Sequence, residues 1–234
     1  MKLEVVKLYK TYGTNLVLKD INYTFEEGKI YGLLGRNGAG KTTFFNALNE
    51  DIDIDLGEFY LIDKETKRKL ENSDIGYVIS TPIVPDFLTG REFIKFFIDI
   101  NKDIIEDIKD IDYYFDIVKI DKKDQDKLLR DYSQGMKNKI QILINIIRNP
   151  KVILLDEPLT SLDIVVQEEM KALLKKLKKN HIIIFSTHIL ELALDLCDEI
   201  VVLNNKKLTS IEKEPNQDKY KDKIIKALKE EKND

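Results

Sequence analysis

Polar and apolar positions alternate along the start of the chain. Residues 2–8 and 16–34 carry the period-two pattern of short strands in hairpins, through Leu16-Val17-Leu18, Ile21-Asn22-Tyr23-Thr24-Phe25 and a turn at Glu26-Glu27-Gly28. Lys29-Ile30-Tyr31-Gly32-Leu33-Leu34 reads as an apolar strand, and Thr42-Thr43-Phe44-Phe45-Asn46-Ala47-Leu48 as a helix. Strand patterns return at Leu56–Ile62 and Ile75–Ile79. Val152-Ile153-Leu154-Leu155 is wholly apolar, the mark of a parallel strand buried on both faces. A long amphipathic helix from Asp163 to about Lys179 crosses over to the next strand, Ile182–Phe185. A helix over Leu190–Leu196, the strand Ile200–Leu203 and a turn at Asn204-Asn205 close the domain.

Between Ser80 and Asp131 the period changes to that of helices. Thr89-Gly90-Arg91-Glu92 is a capping box opening a helix over Arg91–Ile100, and Ile104, Ile105, Ile108, Ile111, Phe115 and Val118 follow at helical spacing. Ser133 caps a further helix, Gln134 to about Arg148, which Asn149-Pro150 ends. The pattern predicts an α/β domain over residues 1–213 with a helical subdomain, about 81–150, inserted in it. The tail, 214–234, is charged; residues 211–234 show only a weak helical period (Ile224, Ile225, Leu228) and are expected to fray.

Bulk composition narrows this picture little. The 234 residues carry 34% charged side chains but a net charge of only −4, so a broad electrostatic grip on nucleic acid is not expected. The one cysteine, Cys197, excludes an internal disulfide framework and suits a reducing compartment. The N-terminal residues lack a signal-peptide pattern, and no apolar run reaches membrane-span length, so a cytosolic protein is expected.

The candidate chemistry is concentrated in Gly35-Arg36-Asn37-Gly38-Ala39-Gly40-Lys41-Thr42, which fits G-x-x-x-x-G-K-[ST] between a strand and a helix. Its glycines let backbone N–H groups turn inward, and the helix beginning near Thr43 presents its positive end to phosphate. Lys41 supplies charge to the β- and γ-phosphates, and the Thr42 hydroxyl a ligand for Mg²⁺. The strand Val152–Leu155 delivers Asp156 to the same metal shell, with Glu157 placed to orient or deprotonate water. Tyr12, beside Gly13, is either a turn residue packed on the sheet or a surface on which a base stacks. Ser133 alone is a helix cap, and His188 alone a loop histidine.

Taken in order, these pieces resemble the nucleotide-binding subunit of an ATP-binding cassette transporter, over about Met1 to Lys213. In that family the phosphate loop corresponds to Gly35–Thr42, the acidic strand to Val152–Glu157, and the signature sequence to Tyr132-Ser133-Gln134-Gly135-Met136. The D-loop corresponds to Ser161-Leu162-Asp163, the switch histidine to His188, and the base-stacking aromatic to Tyr12. The signature departs from Leu-Ser-Gly-Gly-Gln at Tyr132, Gln134 and Met136, in a form similar to bacterial exporters of drugs and peptide antibiotics. Ser133 and Gly135 keep the groups that approach phosphate. At Ser80 the family usually has Gln facing the metal; a Ser reaches Mg²⁺ there only through water.

The resemblance implies an α/β phosphate-loop core with a mixed sheet, an N-terminal antiparallel β subdomain and an inserted helical subdomain. It implies ATP and Mg²⁺ as cofactors, and a dimer, homo- or hetero-, with each ATP between Lys41 of one subunit and Ser133 of the other. His188 would hold the γ-phosphate. A separate integral membrane permease would be the partner, contacted near Ser80 and the helical subdomain, placing the chain on the inner face of the membrane. A regulatory subunit with weak hydrolysis is the alternative that Ser80 motivates. A cassette acting on DNA or ribosomes fits less well, because the chain has neither a second phosphate loop nor sustained heptads.

Overall fold

A computed structural model describes residues 1–105, 107–160 and 162–229. Strands β1 (Lys2–Tyr12), β2 (Asn15–Glu26) and β3 (Ile30–Leu34) lead to helix α1 (Lys41–Leu48). Strands β4 (Leu56–Asp63), β5 (Thr66–Lys69) and β6 (Ile75–Val78) follow. The helices α2 (Gly90–Asn101), α3 (Ile111–Ile117), α4 (Lys122–Gln125) and α5 (Gln134–Arg148) come next. The chain then runs through β7 (Val152–Asp156), α6 (Ile164–Leu177), β8 (Ile182–Thr187), α7 (Leu190–Leu196), β9 (Glu199–Asn204), β10 (Lys207–Ile211) and α8 (Gln217–Lys229).

Two sheets form. One is antiparallel, in the order β2-β1-β4-β5. The other has the order β10-β9-β3-β8-β7-β6, parallel except for the antiparallel edge strand β10. The fold class is the one expected. One boundary differs: β3 does not pair back on β2 as a hairpin arm but enters the centre of the parallel sheet, between β9 and β8.

The wholly apolar strands explain where the core sits. Successive side chains of a strand point to opposite faces, so β7 and β8 feed two cores at once. Ile153, Leu155, Ile183 and Phe185 join the helical subdomain on one face, with Ile94, Phe115, Ile140 and Leu143. Val152, Leu154, Ile182 and Ile184 join α1 and the antiparallel sheet on the other, with Phe44, Phe45, Leu3 and Phe25. Helix α1 is therefore clamped between the two sheets, which fixes the loop that precedes it.

The helical subdomain keeps two of its predicted boundaries. Thr89 accepts from the Glu92 N–H while the Glu92 carboxylate accepts from the Thr89 N–H, closing the capping box on α2. Ser133 caps α5 through the Met136 N–H, and Asn149 ends it in the left-handed conformation. The helical spacing expected through Ile104 and Ile108 does not form a helix. The described residues between α2 and α3 are turn and coil, with Ile104 and Ile108 exposed. Asp110 instead caps α3 through the Asp112 N–H, a local side-chain bond of the kind by which Asp competes with helix.

The C-terminal segment is not frayed over its described part. In α8, Tyr220 and Ile224 are buried against Leu34, Ala193, Ile200 and Val202. Lys221 pairs with Glu191 of α7 at 2.7 Å, and Asn204 donates to the Ala227 carbonyl at 2.8 Å. A stripe of few apolar residues suffices because the neighbouring sheet edge supplies the rest of the apolar surface.

Candidate active site

The ends of β3, β7 and β8 lie side by side, and the loops leaving them converge on one cleft. The cleft, about 340 Å³, is lined by Tyr12, Val17, Asn37, Gly38, Gly40, Lys41, Thr42, Thr43 and Glu157. Two residues of the phosphate loop, Gly38 and Gly40, have φ of +80° and +104°, a region in which a side chain is strained. A Cβ on Gly35 would lie 2.9 Å from the Leu203 carbonyl oxygen, so glycine is required there by close approach to β9. Gly40 stands at the N-cap of α1 and offers no side chain to it, leaving first-turn N–H groups to whatever enters the cleft.

Lys41 is buried. Its ammonium donates to the Gly35 carbonyl at 3.0 Å and the Arg36 carbonyl at 3.5 Å, and lies 3.7 Å from Glu157 Oε1. The Thr42 hydroxyl donates to Asp156 Oδ2 at 2.8 Å across 114 residues of sequence. Glu157 faces His188, with Oε2 2.9 Å from Nδ1. Glu157 has a φ of +51°, a left-handed conformation that turns its side chain out of the line of β7. Tyr12 stands 47% exposed at the rim, with the Lys10 ammonium 4.8 Å from its ring centre. Its side chain is thus exposed at the rim, beside the Lys10 ammonium.

Ser133 and Gly135 are not part of this cleft. Ser133 is exposed at the start of α5, and Gly135 is buried where an added Cβ would lie 3.1 Å from Val166 Cγ1. Ser80 is exposed beyond β6, and no hydrogen bond joins its side chain to Thr42 or Asp156 among the described residues. Ser161 of the expected D-loop lies outside the described residues, whereas Asp163 caps α6 through the Val166 N–H.

The structure also brings in side chains that the sequence reading passed over. Ser186, the last residue but one of β8, donates to Asp156 Oδ1 and accepts from the Glu157 N–H at 3.1 Å. Tyr77 of β6 bonds Asn46 of α1 at 3.2 Å, and burial together with the Asp156 charge holds its phenol above the usual range. The one local signal was polarity at the end of an apolar strand. A polar pair, Ser186-Thr187, ends an apolar run that neighbours the acidic strand.

Comparison with known proteins gives this geometry a family. The ABC transporter family pattern matches residues 18–160. The chain belongs to the ABC transporter family. It is 33% identical over 208 residues to an uncharacterized ABC transporter ATP-binding protein of Methanocaldococcus jannaschii, covering 88% of this chain and 75% of that protein. It is 32% identical over 206 residues to the bacitracin transport ATP-binding protein BcrA of Enterococcus faecalis, covering 86% of this chain and 66% of that one. Among solved structures, the dimeric ATP-binding cassette in a post-hydrolysis state with ADP and Pi superposes with a TM-score of 0.75. That match covers 91% of this chain and all of the other at 20% identity, a likeness of fold. As a cassette of this family the chain is an ATP-binding protein and an ATPase. No helix among the described residues is long and apolar enough to cross a membrane.

Proposed function

We propose that the chain is the ATP-hydrolysing subunit of a transporter whose permease is a separate membrane protein, and that two cassettes close head to tail around ATP. The observation that carries this reading is the Thr42–Asp156 hydrogen bond, which joins the phosphate loop to the acidic strand beside Lys41 and Glu157. A hydroxyl and a carboxylate are hard oxygen donors of the kind Mg²⁺ selects, and an exposed mouth leaves room for phosphate oxygens and water. Thr42 and Asp156 would hold the ion, which would supply positive charge to offset that of the phosphates.

The remaining roles belong to the chain's own residues. Gly35–Thr43 would wrap the phosphates with backbone N–H groups, and Lys41 would exchange the Gly35 carbonyl for phosphate oxygen. Glu157 would orient and deprotonate water, and His188, already at its carboxylate, would meet the γ-phosphate. Tyr12 would stack on the base. Ser133 and Gly135 stand away from the cleft of their own subunit, which supports their acting on ATP held by a second one. The likeness to a bacitracin transport protein supports export of a drug or antimicrobial peptide, with the chain held at the cytoplasmic face by its permease.

The test is purification of the tagged chain from detergent-solubilised native membranes. A polytopic membrane protein should copurify in stoichiometric amount, and the complex should hydrolyse ATP only with Mg²⁺. A chain that hydrolyses ATP but brings down no membrane protein would overturn the transporter assignment.

A further inference from the structure

We propose that Ser186 is a positioning residue for hydrolysis, its hydroxyl setting the Asp156 carboxylate and the Glu157 backbone at the same time. The inference rests on reading Asp156 and Glu157 as the metal-facing and water-facing carboxylates.

Strand β8 is buried along its whole length, and Ser186 is fully buried. A hydroxyl in such a place must find partners among its neighbours. The parallel register sets Ser186 directly beside Asp156, and there its proton goes to Asp156 Oδ1. Its oxygen accepts the Glu157 N–H at 3.1 Å, and that N–H also reaches the Ser186 carbonyl at 3.2 Å. One donor and one acceptor are thereby used, each on a different acidic residue.

The consequence for Asp156 is directional. Its Oδ2 takes the Thr42 hydroxyl and its Oδ1 takes Ser186, so the carboxylate is held from α1 on one side and β8 on the other. A carboxylate gripped at both oxygens cannot turn about its last torsion, and the edge it presents to an ion is set in advance. The consequence for Glu157 is conformational. Its left-handed backbone is one that side chains other than glycine rarely adopt, and the bifurcated bond from its N–H to Ser186 is what the fold supplies to hold it. The same strand end continues into Thr187, whose hydroxyl accepts the Ile189 N–H at 3.0 Å, and His188, which meets Glu157. A slack hydroxyl at 186 would therefore loosen both carboxylates while leaving the phosphate loop untouched.

The experiment is a Mg²⁺ titration at saturating ATP, read both as hydrolysis and as the rise in melting temperature that nucleotide confers. Wild type is compared with Ser186→Ala, Ser186→Thr, Ser186→Val and Asp156→Asn. Ser186→Ala should raise the Mg²⁺ needed for half-maximal stabilisation by about 10- to 100-fold, the usual effect of removing an outer hydrogen bond to a ligand. ATP affinity in EDTA should stay as in wild type. Thr and Val have the same shape, so Ser186→Thr should recover the wild-type Mg²⁺ requirement and Ser186→Val should not. A wild-type Mg²⁺ requirement in Ser186→Ala, or equal behaviour of the Thr and Val variants, would overturn the proposal. If Asp156→Asn also keeps the wild-type requirement, the reading of Asp156 itself is wrong; if Asp156→Asn loses it and Ser186→Ala does not, only the role of Ser186 falls.

Discussion

The imidazole Nδ1 of His188 lies 2.9 Å from Oε2 of Glu157. Glu157→Gln keeps the shape and a hydrogen-bonding oxygen at this contact but cannot take a proton. Hydrolysis should fall by about 10²–10⁴, the usual contribution of a general base, while ATP binding survives. With the bridging phosphate retained, the variant should run as a dimer on size exclusion in ATP and Mg²⁺. A strictly monomeric profile would count against closure around ATP.

Lys41 is buried against the Gly35 and Arg36 carbonyls, so its charge is held inside the phosphate loop before any ligand arrives. Lys41→Ala removes that charge, and ATP affinity measured by equilibrium titration should drop at least 10-fold. An unchanged dissociation constant would remove Gly35–Thr42 from the phosphate site.

Ser80 is exposed past the end of β6, so a longer side chain can be introduced there without repacking the core. Ser80→Gln should raise basal Mg²⁺-dependent turnover, because the longer amide would reach an ion that the Ser hydroxyl would meet only through water. Turnover identical in wild type, Ser80→Gln and Ser80→Ala would show that this loop does not limit basal hydrolysis.

His181 is buried just before β8, its Nδ1 2.6 Å from the Pro150 carbonyl. Burial pulls its pKa below the ordinary value of 6.5, outweighing the carbonyl contact, which pushes the other way. The folded state thus favours the neutral ring. The resulting stability is whole above the unfolded pKa of about 6.5 and is lost as pH falls through the lower folded value. Melting temperature followed from about pH 8 to about pH 5 should decline less steeply in His181→Asn than in wild type. Parallel curves would place the acid sensitivity elsewhere.

Ile224 of α8 is fully buried between β9 and α7. Ile224→Ala should cost about 2–5 kcal/mol, as truncations of buried aliphatic residues do. For a chain of this size that is a fall in melting temperature of roughly 4–20 °C. No measurable shift would mean that α8 is loose in solution.

Much of the cleft was legible because its elements announce themselves locally. A phosphate loop must carry glycines at fixed positions, and strands buried on both faces must be unbroken apolar runs such as Val152–Leu155. Elements at the periphery gave no such signal. Every residue of β5 is exposed, and β10 is mostly so; neither needs an apolar face, because backbone pairing to one neighbour holds it. The isoleucines at 104 and 108 misled in the other direction, since spacing alone does not say whether a partner surface exists. Ser186 escaped notice for a third reason. Its importance comes from lying opposite Asp156, and pairing between strands distant in sequence is written in no single stretch of the chain.

Strand β8 lies between the strand that carries the phosphate loop and the strand that carries the acids. The two strands are therefore two interstrand steps apart, roughly 9–10 Å, and the phosphate loop and α1 carry Thr42 and Lys41 across to the acids. The same position makes β8 intolerant of insertions and deletions. One added residue between Ile182 and Phe185 would send Ser186 to the opposite face and carry His188 away from Glu157. Length variants of this chain that still turn over ATP should accordingly carry their extra residues in the exposed stretches around Lys64 or Lys102, and never in this one strand.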